Sequence, residues 1–380
     1  MSLKLVHLTL ATAVLAISVN GLAVPQSQGD AFSVNAYTPS TPEEFDPAAE
    51  IQRLEAKYPS IASGNTKEAR AVKQAGSVKV KPNDSGLSFF VPTVIGNQTF
   101  QLIYDTGSAD LWILSKDMPP WQADGHPTYE PTSSSKLLPN HTWAIKYAGG
   151  EEISGVVYTD TVKAGPVVAH NQAVQAAVDN PFSFESDGIL GLAFGVINTV
   201  KPDKQKTFFE TAMPTLKRKL FAANLRFKGK MAYTPVTSEK HWSMNASSYA
   251  VGKGAFTDSK KTIGEVIVDS GTSLVYLPEA VVKDYYSHIK GYELQQGGSY
   301  TFPCNSDIPD FHFKTAGMTL SIPGRDVNYT TYDPTRGICA GGITTLLNKR
   351  YSVLGNLFMK NYYVVHSQEK ATPELGFALH

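Results

Sequence analysis

A short pattern occurs twice in the sequence, once in each half of the chain. Residues Tyr104–Trp112 read Tyr-Asp-Thr-Gly-Ser-Ala-Asp-Leu-Trp, and Val268–Tyr276 read Val-Asp-Ser-Gly-Thr-Ser-Leu-Val-Tyr. Each copy is followed further along by an apolar pair and a glycine, in Gly188–Leu192 and in Ser352–Asn356. Self-similarity of this kind indicates two related structural units. A chain of 380 residues is long enough to build both.

Each copy places an aspartate between an apolar run and a glycine. Alone, Asp-Thr-Gly or Asp-Ser-Gly is most often a turn, because Asp caps its own backbone and Gly accepts a positive φ. Two such turns, one from each half, can face each other across a two-fold axis and bring Asp105 and Asp269 together. Adjacent carboxylates cannot both ionise cheaply, so they share a proton, one serving as general acid and the other as general base.

These strings resemble the pepsin family of aspartic proteases, and are most similar to its secreted fungal members. The Tyr104–Trp112 string is highly specific, Ser186–Phe194 strengthens the likeness, and the similarity extends from about Ser88 to His380. The resemblance implies an endopeptidase that hydrolyses bonds between large hydrophobic residues at acidic pH, with Asp105 and Asp269 as its catalytic dyad. It implies no metal or other cofactor, protein and peptide substrates, binding of pepstatin-type inhibitors and a monomeric enzyme.

The same resemblance assigns supporting roles around the dyad. Thr106 and Ser270 match the hydroxyls that lock the two turns together. The glycine amides and outer hydroxyls that hydrogen-bond the carboxylates are matched by Gly107, Ser108, Gly271 and Thr272.

A hairpin flap over the cleft is predicted from the alternating strand Trp143–Tyr147 and the glycine-rich tip that follows it. Tyr147 matches the family's flap tyrosine, Trp112 the indole that meets it, and Gly149 and Gly150 the mobile tip. Gly149 stands where fungal relatives often have the Asp associated with accepting lysine before the scissile bond, so we expect that preference to be weak here.

The first 72 residues are interpreted as two segments that precede the enzyme. Lys4, the apolar run Leu5–Val19 and the small residues ending at Ala23 are typical of a signal peptide over 1–23. A transmembrane helix is the alternative, but the run is short for about 30 Å of hydrocarbon. Residues 24–72 indicate a prosegment, and its Lys57-Tyr58 resembles the pair with which family prosegments block the cleft. Secretion to the extracellular space is therefore expected, with the vacuole as an alternative.

Short β-rich runs separated by turn residues predict a mainly β protein. Two helices are predicted, over Thr207–Leu220 with an interruption at Pro214, and over Pro278–Ile289. The resemblance implies a bilobal pepsin-like acid protease fold, with two pseudo-symmetric β-barrel-like lobes and the active site in the cleft between them. We place the N-terminal lobe and interlobe connection at 73–250 and the C-terminal lobe at 251–380.

The cysteines and the glycosylation sequons fit a secreted protein. Cys304 and Cys339 predict one disulfide, and two cysteines alone cannot build a structural zinc site. A formal net charge of zero gives no argument for nucleic acid or an anionic membrane as a partner. The candidate glycosylation sites are Asn97, Asn140, Asn245 and Asn328.

The sequence departs from the family pattern between the two aspartates. The interval is short by roughly one β-hairpin of about fifteen residues, between Phe227 and Tyr233. Such a loss predicts an unpaired sheet edge or shifted lobes. It leaves open a catalytically weak or inactive pepsin-like binding protein as the alternative function. A glycosidase is less favoured, since its carboxylates need no doubled turn. Asn356 also replaces a usual Asp, and His366 part of a Phe-Asp pair.

Overall fold

The computed structural model of the chain describes residues 32–36, 73–82, 89–123, 125–146, 152–179, 185–223, 228–257, 263–295, 298–345 and 352–379. Most of these residues lie in strands, so the predicted mainly β class is confirmed. The signal peptide over 1–23, the Lys57-Tyr58 pair and the flap residues Tyr147, Gly149 and Gly150 lie outside the described residues. Within the described ranges, no helix is both long enough and apolar enough to cross a membrane.

Twenty-five strands are numbered in chain order. Those before residue 224 are β1 (Phe32–Ala36), β2 (Gly76–Pro82), β3 (Phe89–Ile95), β4 (Gln98–Asp105), β5 (Leu111–Leu114), β6 (Lys136–Lys146), β7 (Glu152–Ala164), β8 (Val167–Asp179), β9 (Gly188–Gly191) and β10 (Leu220–Ala223). Those after it are β11 (Lys228–Pro235), β12 (Ser243–Ala246), β13 (Tyr249–Val251), β14 (Gly264–Val268), β15 (Val275–Tyr276), β16 (Glu293–Leu294), β17 (Tyr300–Pro303), β18 (Phe311–Thr315), β19 (Met318–Ile322), β20 (Asn328–Asp333), β21 (Ile338–Gly341), β22 (Ile343–Thr344), β23 (Ser352–Leu354), β24 (Tyr362–Ser367) and β25 (Glu374–Leu379).

Six strands of the N-terminal lobe close into a barrel in the order β3-β4-β9-β5-β8-β7, and pairing of β3 with β7 completes the ring. Alternate residues of β3, from Phe89 to Ile95, are buried, because successive side chains of a strand point to opposite faces. Strand β6 pairs antiparallel with β7 in the hairpin that the sequence analysis predicts as the flap.

Three smaller sheets form the C-terminal lobe, in the orders β12-β14-β23-β15-β22, β13-β18-β19 and β16-β17-β21-β20. Strands β12 and β13 begin before residue 251 but pair with β14 and β18. The sheets of this lobe therefore begin at Ser243, before the boundary that the sequence analysis placed at 251. One continuous cluster of buried hydrophobic side chains runs through both lobes.

A third layer joins the lobes. Its six strands lie in the order β11-β25-β24-β10-β1-β2, and β2 continues into β3 of the barrel sheet. Strand β1 is an interior strand of this layer, parallel to both β10 and β2, with Phe32 opposite Phe221 and Gly76. No strand is predicted from the sequence within residues 24–72, so β1 is a feature that only the structure reveals.

The shortened connection between the lobes is accommodated by β11. This strand pairs antiparallel with β25, with an irregularity between Lys228 and Ala232, and occupies the outer position of the interlobe sheet. Among the described residues β11 is the outermost strand of this sheet, and β10 and β25 each pair with β24. The sheet that holds the lobes together therefore exists without the hairpin.

Four short α-helices are described, together with three 3₁₀ turns. The helices are α1 (Phe208–Ala212), α2 (Glu279–Ser287), α3 (Gly324–Val327) and α4 (Asn356–Met359), and the 3₁₀ turns are Pro120–Gln122, Gly195–Ile197 and Met213–Thr215. Helix α2 begins directly after Pro278, as predicted. The helix predicted up to Leu220 is wrong in length, because Pro214 has no N–H and ends α1 in a 3₁₀ turn.

Candidate active site

Asp105 is the last residue of β4, where the chain leaves the barrel wall. Strand β9 lies between β4 and β5: it pairs parallel with β4, with Asp105 opposite Gly191, and antiparallel with β5. The Leu192 amide donates a hydrogen bond of 2.7 Å to the Asp105 carbonyl oxygen. The main chain on both sides of this aspartate is consequently fixed by strand pairing.

Asp269 occupies the equivalent place in the other lobe. Strand β23 lies between β14 and β15, parallel to the first and antiparallel to the second. The Asp269 amide donates a hydrogen bond of 3.1 Å to the Leu354 carbonyl oxygen. The repeated apolar-apolar-Gly string thus forms the middle strand in both lobes, which explains why it accompanies each aspartate.

Only glycine fits at the end of that string, because backbone atoms of the neighbouring aspartate turn lie very close to it. A Cβ on Gly191 would lie 2.5 Å from the Asp110 amide nitrogen, and one on Gly355 would lie 2.3 Å from the Thr272 carbonyl oxygen. These distances are shorter than van der Waals contact, so only glycine allows the middle strand to pack against the aspartate turn. The repeat is visible in the sequence, whereas this reason for it is visible only in the structure.

Thr106 and Ser270 bind the two turns to each other. The Thr106 amide donates to the Ser270 hydroxyl at 3.0 Å, and the Ser270 amide donates to the Thr106 hydroxyl at 2.8 Å. Each hydroxyl in turn donates to a carbonyl oxygen of the opposite strand, Thr106 to Val268 at 3.0 Å and Ser270 to Tyr104 at 2.8 Å. All four hydrogen bonds cross between the lobes, so the turns are held in one relative position.

Each carboxylate accepts the same pair of hydrogen bonds within its own turn. The Gly107 amide donates to Asp105 Oδ1 at 2.8 Å, and the Gly271 amide donates to Asp269 Oδ1 at 2.7 Å. The outer hydroxyls donate to the second oxygens, Ser108 to Asp105 Oδ2, and Thr272 to Asp269 Oδ2 at 2.6 Å. The carboxyl groups are therefore oriented, not freely rotating.

The two carboxyl groups lie next to each other. A Cβ on Gly271 would lie 2.1 Å from Asp105 Oδ1, and one on Gly107 would lie 2.6 Å from the Asp269 carboxyl carbon. Asp105 is buried, with 5% of its surface exposed. Burial and the charge of Asp269 within hydrogen-bonding reach raise the pKa of Asp105 above its ordinary value. The pair therefore retains a proton at a pH where an exposed aspartate would lose it.

Trp112 is fully buried behind this site and stacks on Trp143 of the flap hairpin, with ring centroids 6.4 Å apart and planes inclined by 22°. Pairing in the hairpin is described as far as Lys146 and Glu152. The contact between Trp112 and Tyr147 that the resemblance implies thus lies outside the described residues. Trp143 is itself a buried residue of β6, whereas the sequence predicts it only as the first residue of the flap strand.

Asn356 stands beside the second turn. Its amide nitrogen donates to the carbonyl oxygens of Ser270 at 3.1 Å and Thr272 at 3.2 Å. A carboxylate has no proton to donate to either oxygen, so the departure from the family's Asp supplies two hydrogen bonds to the backbone of the turn. We find Asn356 buried, with no partner for its Oδ1 among the described residues.

A cavity of about 370 Å³ is lined by the loop that precedes β12 and by two residues of β14. Ile267, two positions before Asp269, lines it together with His241, Lys240 and Glu265. Burial lowers the pKa of His241. The negative charge of Asp105 has a smaller effect and raises the pKa of His241. A single histidine in a loop forms no sequence pattern, so His241 was not predicted from the sequence.

The remaining predicted residues lie away from the dyad. Cys304 and Cys339 form the predicted disulfide, with Cα atoms 4.9 Å apart. Among the sequon asparagines, Asn97, Asn140 and Asn245 are exposed, while Asn328 is half-buried and donates to the Cys304 carbonyl oxygen at 3.4 Å. Their glycosylation stays a prediction.

Two oriented carboxyl groups that share a proton can activate a water molecule and protonate a leaving group without a covalent intermediate. A mainly β fold that presents such a pair from two matched turns is that of an aspartic protease. The chain belongs to the eukaryotic aspartyl protease family, whose family model matches residues 89–380.

Several fungal proteins are similar to the chain over most of its length. Penicillopepsin-3 of Penicillium janthinellum is 36% identical over 390 aligned residues, which cover 96% of this chain and 97% of that protein. Aspergillopepsin-1 of Aspergillus oryzae is 36% identical, with 91% of each chain covered. Aspartic protease pepA of Leptosphaeria maculans is also 36% identical, with 94% of this chain and 95% of that protein covered.

Proposed function

We propose that this aspartic protease is a secreted endopeptidase made as a zymogen, and that Asp105 and Asp269 hydrolyse peptide bonds between large hydrophobic residues at acidic pH. The observation that carries the proposal is the matched hydrogen bonding of the two carboxyl groups. Each accepts one glycine amide and one outer hydroxyl, and the two turns are joined by reciprocal hydrogen bonds. Such preorganisation is what general acid–base catalysis needs.

In the proposed reaction, the ionised member of the dyad takes a proton from a water molecule held between the carboxyl groups. The water oxygen attacks the carbonyl carbon of the substrate, and the protonated member donates its proton to the carbonyl oxygen, which gives a neutral gem-diol. The proton taken from the water then passes to the amide nitrogen and the C–N bond breaks. One gem-diol hydroxyl returns its proton to the dyad as the carboxylic acid and the amine leave. The raised pKa of Asp105 supports this scheme, since one of the two groups must carry a proton.

The substrate would lie under the flap hairpin of β6 and β7, whose closure excludes water and aligns the scissile bond. The similarity to penicillopepsin-3 and aspergillopepsin-1, which extends into the segment before residue 73, supports a zymogen with a prosegment over 24–72. Lys57 and Tyr58 would then block the cleft before activation, and Tyr147, Gly149 and Gly150 would form the flap tip. Secretion rests on the predicted signal peptide.

The alternative of an inactive binding protein loses its main support. It was motivated by the shortened connection near residues 227–233, but the described strands β10, β24 and β25 pair in the interlobe sheet, and the hydrogen bonds between Thr106 and Ser270 join the two turns.

The proposed function is tested by acid activation of the full-length chain, followed by digestion of denatured haemoglobin with and without pepstatin. We expect cleavage that pepstatin abolishes, and no cleavage by the Asp105→Asn chain. The Asn97→Gln chain, changed at an exposed position away from the dyad, is the matched control. Absence of pepstatin-sensitive cleavage across acidic pH would refute the enzyme.

A further inference from the structure

His366 is a buried histidine of the interlobe sheet that the proposed reaction does not use. It lies on β24, opposite Phe221 of β10 and Leu375 of β25. None of its surface is exposed, and neither ring nitrogen has a hydrogen-bond partner among the described residues. Burial of a polar ring without hydrogen-bond partners destabilises the fold, and burial of the same ring with a positive charge destabilises it further. The position is therefore sensitive to protonation.

Two aromatic rings enclose the imidazole. Phe221 stacks on it, with centroids 4.5 Å apart and planes inclined by 7°, and Trp242 packs edge-on at 5.0 Å. The facing residue of β25, Leu375, is apolar and buried. Burial accordingly lowers the pKa of His366 from 6.5 to about 3.

Four of the charged side chains near this end of the sheet are paired with one another. Arg218 binds Glu369, and Lys370 Nζ lies 2.9 Å from Glu374 Oε1. Each of these four is at least partly exposed. They do not offset a positive charge on the buried ring, because solvent screens them and each already has an opposite partner.

The aromatic neighbours of His366 connect it to both the dyad and the N-terminal segment. Trp242 Nε1 donates to the Leu192 carbonyl oxygen at 2.9 Å, and the Val268 amide donates to the Trp242 carbonyl oxygen at 2.8 Å. On the other side, Phe221 belongs to β10, which pairs directly with β1. His366 is thus separated from β1 by a single strand.

We propose that His366 is an acid sensor for prosegment release: uptake of a proton opens the packing between β10 and β24 and frees β1 from the sheet. The inference rests on the proposed function, in which acid leads to removal of residues 24–72. A ring that reaches solvent in the open sheet binds a proton far more strongly than the enclosed ring, so acid shifts the equilibrium toward the open form.

The size of the effect follows from the two proton affinities. With an ordinary pKa of 6.5 in the open sheet and a pKa of about 3 in the closed one, opening becomes roughly 200-fold more favourable at pH 4 than at neutral pH. Between pH 6 and pH 4, the equilibrium constant for opening rises about tenfold for each unit by which the pH falls.

Amide hydrogen exchange of the full-length Asp105→Asn chain tests the opening step, since the prosegment then stays attached. After correction for intrinsic exchange, we expect protection in β10 to fall about tenfold per pH unit below pH 6 in the parent chain, and to stay level in the same chain with His366→Phe. His170→Phe, which removes an exposed histidine, should behave like the parent. Equal pH dependence with and without His366 would overturn the proposal.

Exchange of the imidazole C2 proton, followed by mass spectrometry of the unsubstituted chain, gives a second measurement that does not depend on the folding of a variant. A pKa of His366 near 3 supports the proposal, and a value near 6.5 overturns it.

Processing of the chain with Asp105 intact separates this inference from the zymogen itself. Slower removal of the N-terminal segment at pH 4 in the His366→Phe chain supports the sensor, and removal at the parental rate overturns it. Absence of processing in both chains contradicts the zymogen instead, and the exchange profile of β10 then decides whether His366 opens the sheet.

Discussion

Thr106 and Ser270 exchange backbone-to-hydroxyl hydrogen bonds across the two lobes, at 3.0 Å in one direction and 2.8 Å in the other. Both side chains are buried. The Thr106→Val substitution keeps the shape of the side chain but leaves the Ser270 amide and the Val268 carbonyl without their partner. Since a buried unsatisfied group costs about 1–3 kcal/mol, we expect the free energy of unfolding to fall by roughly 2–5 kcal/mol. Activity should fall with it.

Chemical denaturation at pH 5 measures this loss, and Thr106→Ser is its matched control. The control keeps the hydroxyl and matches the residue that the other lobe uses at the equivalent position. A Thr106→Val chain as stable as Thr106→Ser would contradict the assigned role of the hydroxyl.

The stability of the fold should depend on the charge of Asp105. Its pKa is raised from 3.8 by burial and by Asp269, so above pH 3.8 the folded chain holds a proton that the unfolded chain releases. The dyad therefore destabilises the fold increasingly as the pH rises from about 4 toward neutral. Asp105→Asn carries no such charge, and we expect it to be inactive yet more stable than the parent at pH 7.

The difference in free energy of unfolding between the Asp105→Asn chain and the parent should shrink as the pH falls and vanish below about pH 3.8. Unfolding free energies of both chains, measured between pH 3 and pH 7, check the sign and the window. A stability difference that is constant with pH would show that ionisation of the dyad is not its cause.

Gly271 should tolerate no side chain, because a Cβ would lie 2.1 Å from Asp105 Oδ1. Gly271→Ala must displace one of the two carboxyl groups, and misplacement of about 1 Å costs on the order of a hundredfold in rate. We expect kcat to fall by at least that factor, with weaker pepstatin binding.

Gly317→Ala serves as the control for the loss of a glycine. It has φ of +80° and open space around it, so alanine there should cost about 1 kcal/mol of stability through backbone strain and leave kcat unchanged. Normal kcat in the Gly271→Ala enzyme would mean that the turn can move away without harm.

His241 should influence the choice of substrate side chains near the scissile bond. It gives a polar wall to a cavity that also contains Lys240 and Glu265. His241→Phe makes that wall apolar, so we expect kcat/KM for peptides with Phe or Leu beside the scissile bond to rise about tenfold relative to those with Lys or Glu. Paired peptide sets that vary one position at a time measure the ratio, with His170→Phe as the control. An unchanged ratio at every position would place His241 outside the substrate contacts.

The doubled turn was predictable because its chemistry is local. The spacing of Asp, Thr or Ser, and Gly fixes both the bend and the hydrogen bonds to the carboxylate, and the structure forms those bonds in both lobes. The disulfide was predictable because Cys304 and Cys339 are the only two cysteines. Helix α2 was predictable because Pro278 marks its start.

The features that were missed depend on residues far apart in sequence. Strand β1 has only five residues, and its partners Gly76 and Phe221 lie far along the chain. The stack of His366 on Phe221 and the hydrogen bond from Trp242 to Leu192 arise only when strands of different lobes pair. No local pattern reports such contacts, because strand pairing is decided by the whole sheet.

The reciprocal fit of Gly107 against Asp269 and Gly271 against Asp105 also limits how far the two lobes are separate modules. The space that each aspartate occupies is provided by the absence of a side chain in the opposite half. A lobe taken from another protein would have to place a glycine at the same point against the opposite aspartate, even if that lobe folded correctly by itself. Half of this chain, expressed alone, therefore holds an aspartate but not an active site. In a recombinant of two such proteins, activity depends first on the fit of the two turns at the dyad and only then on the surfaces of the lobes.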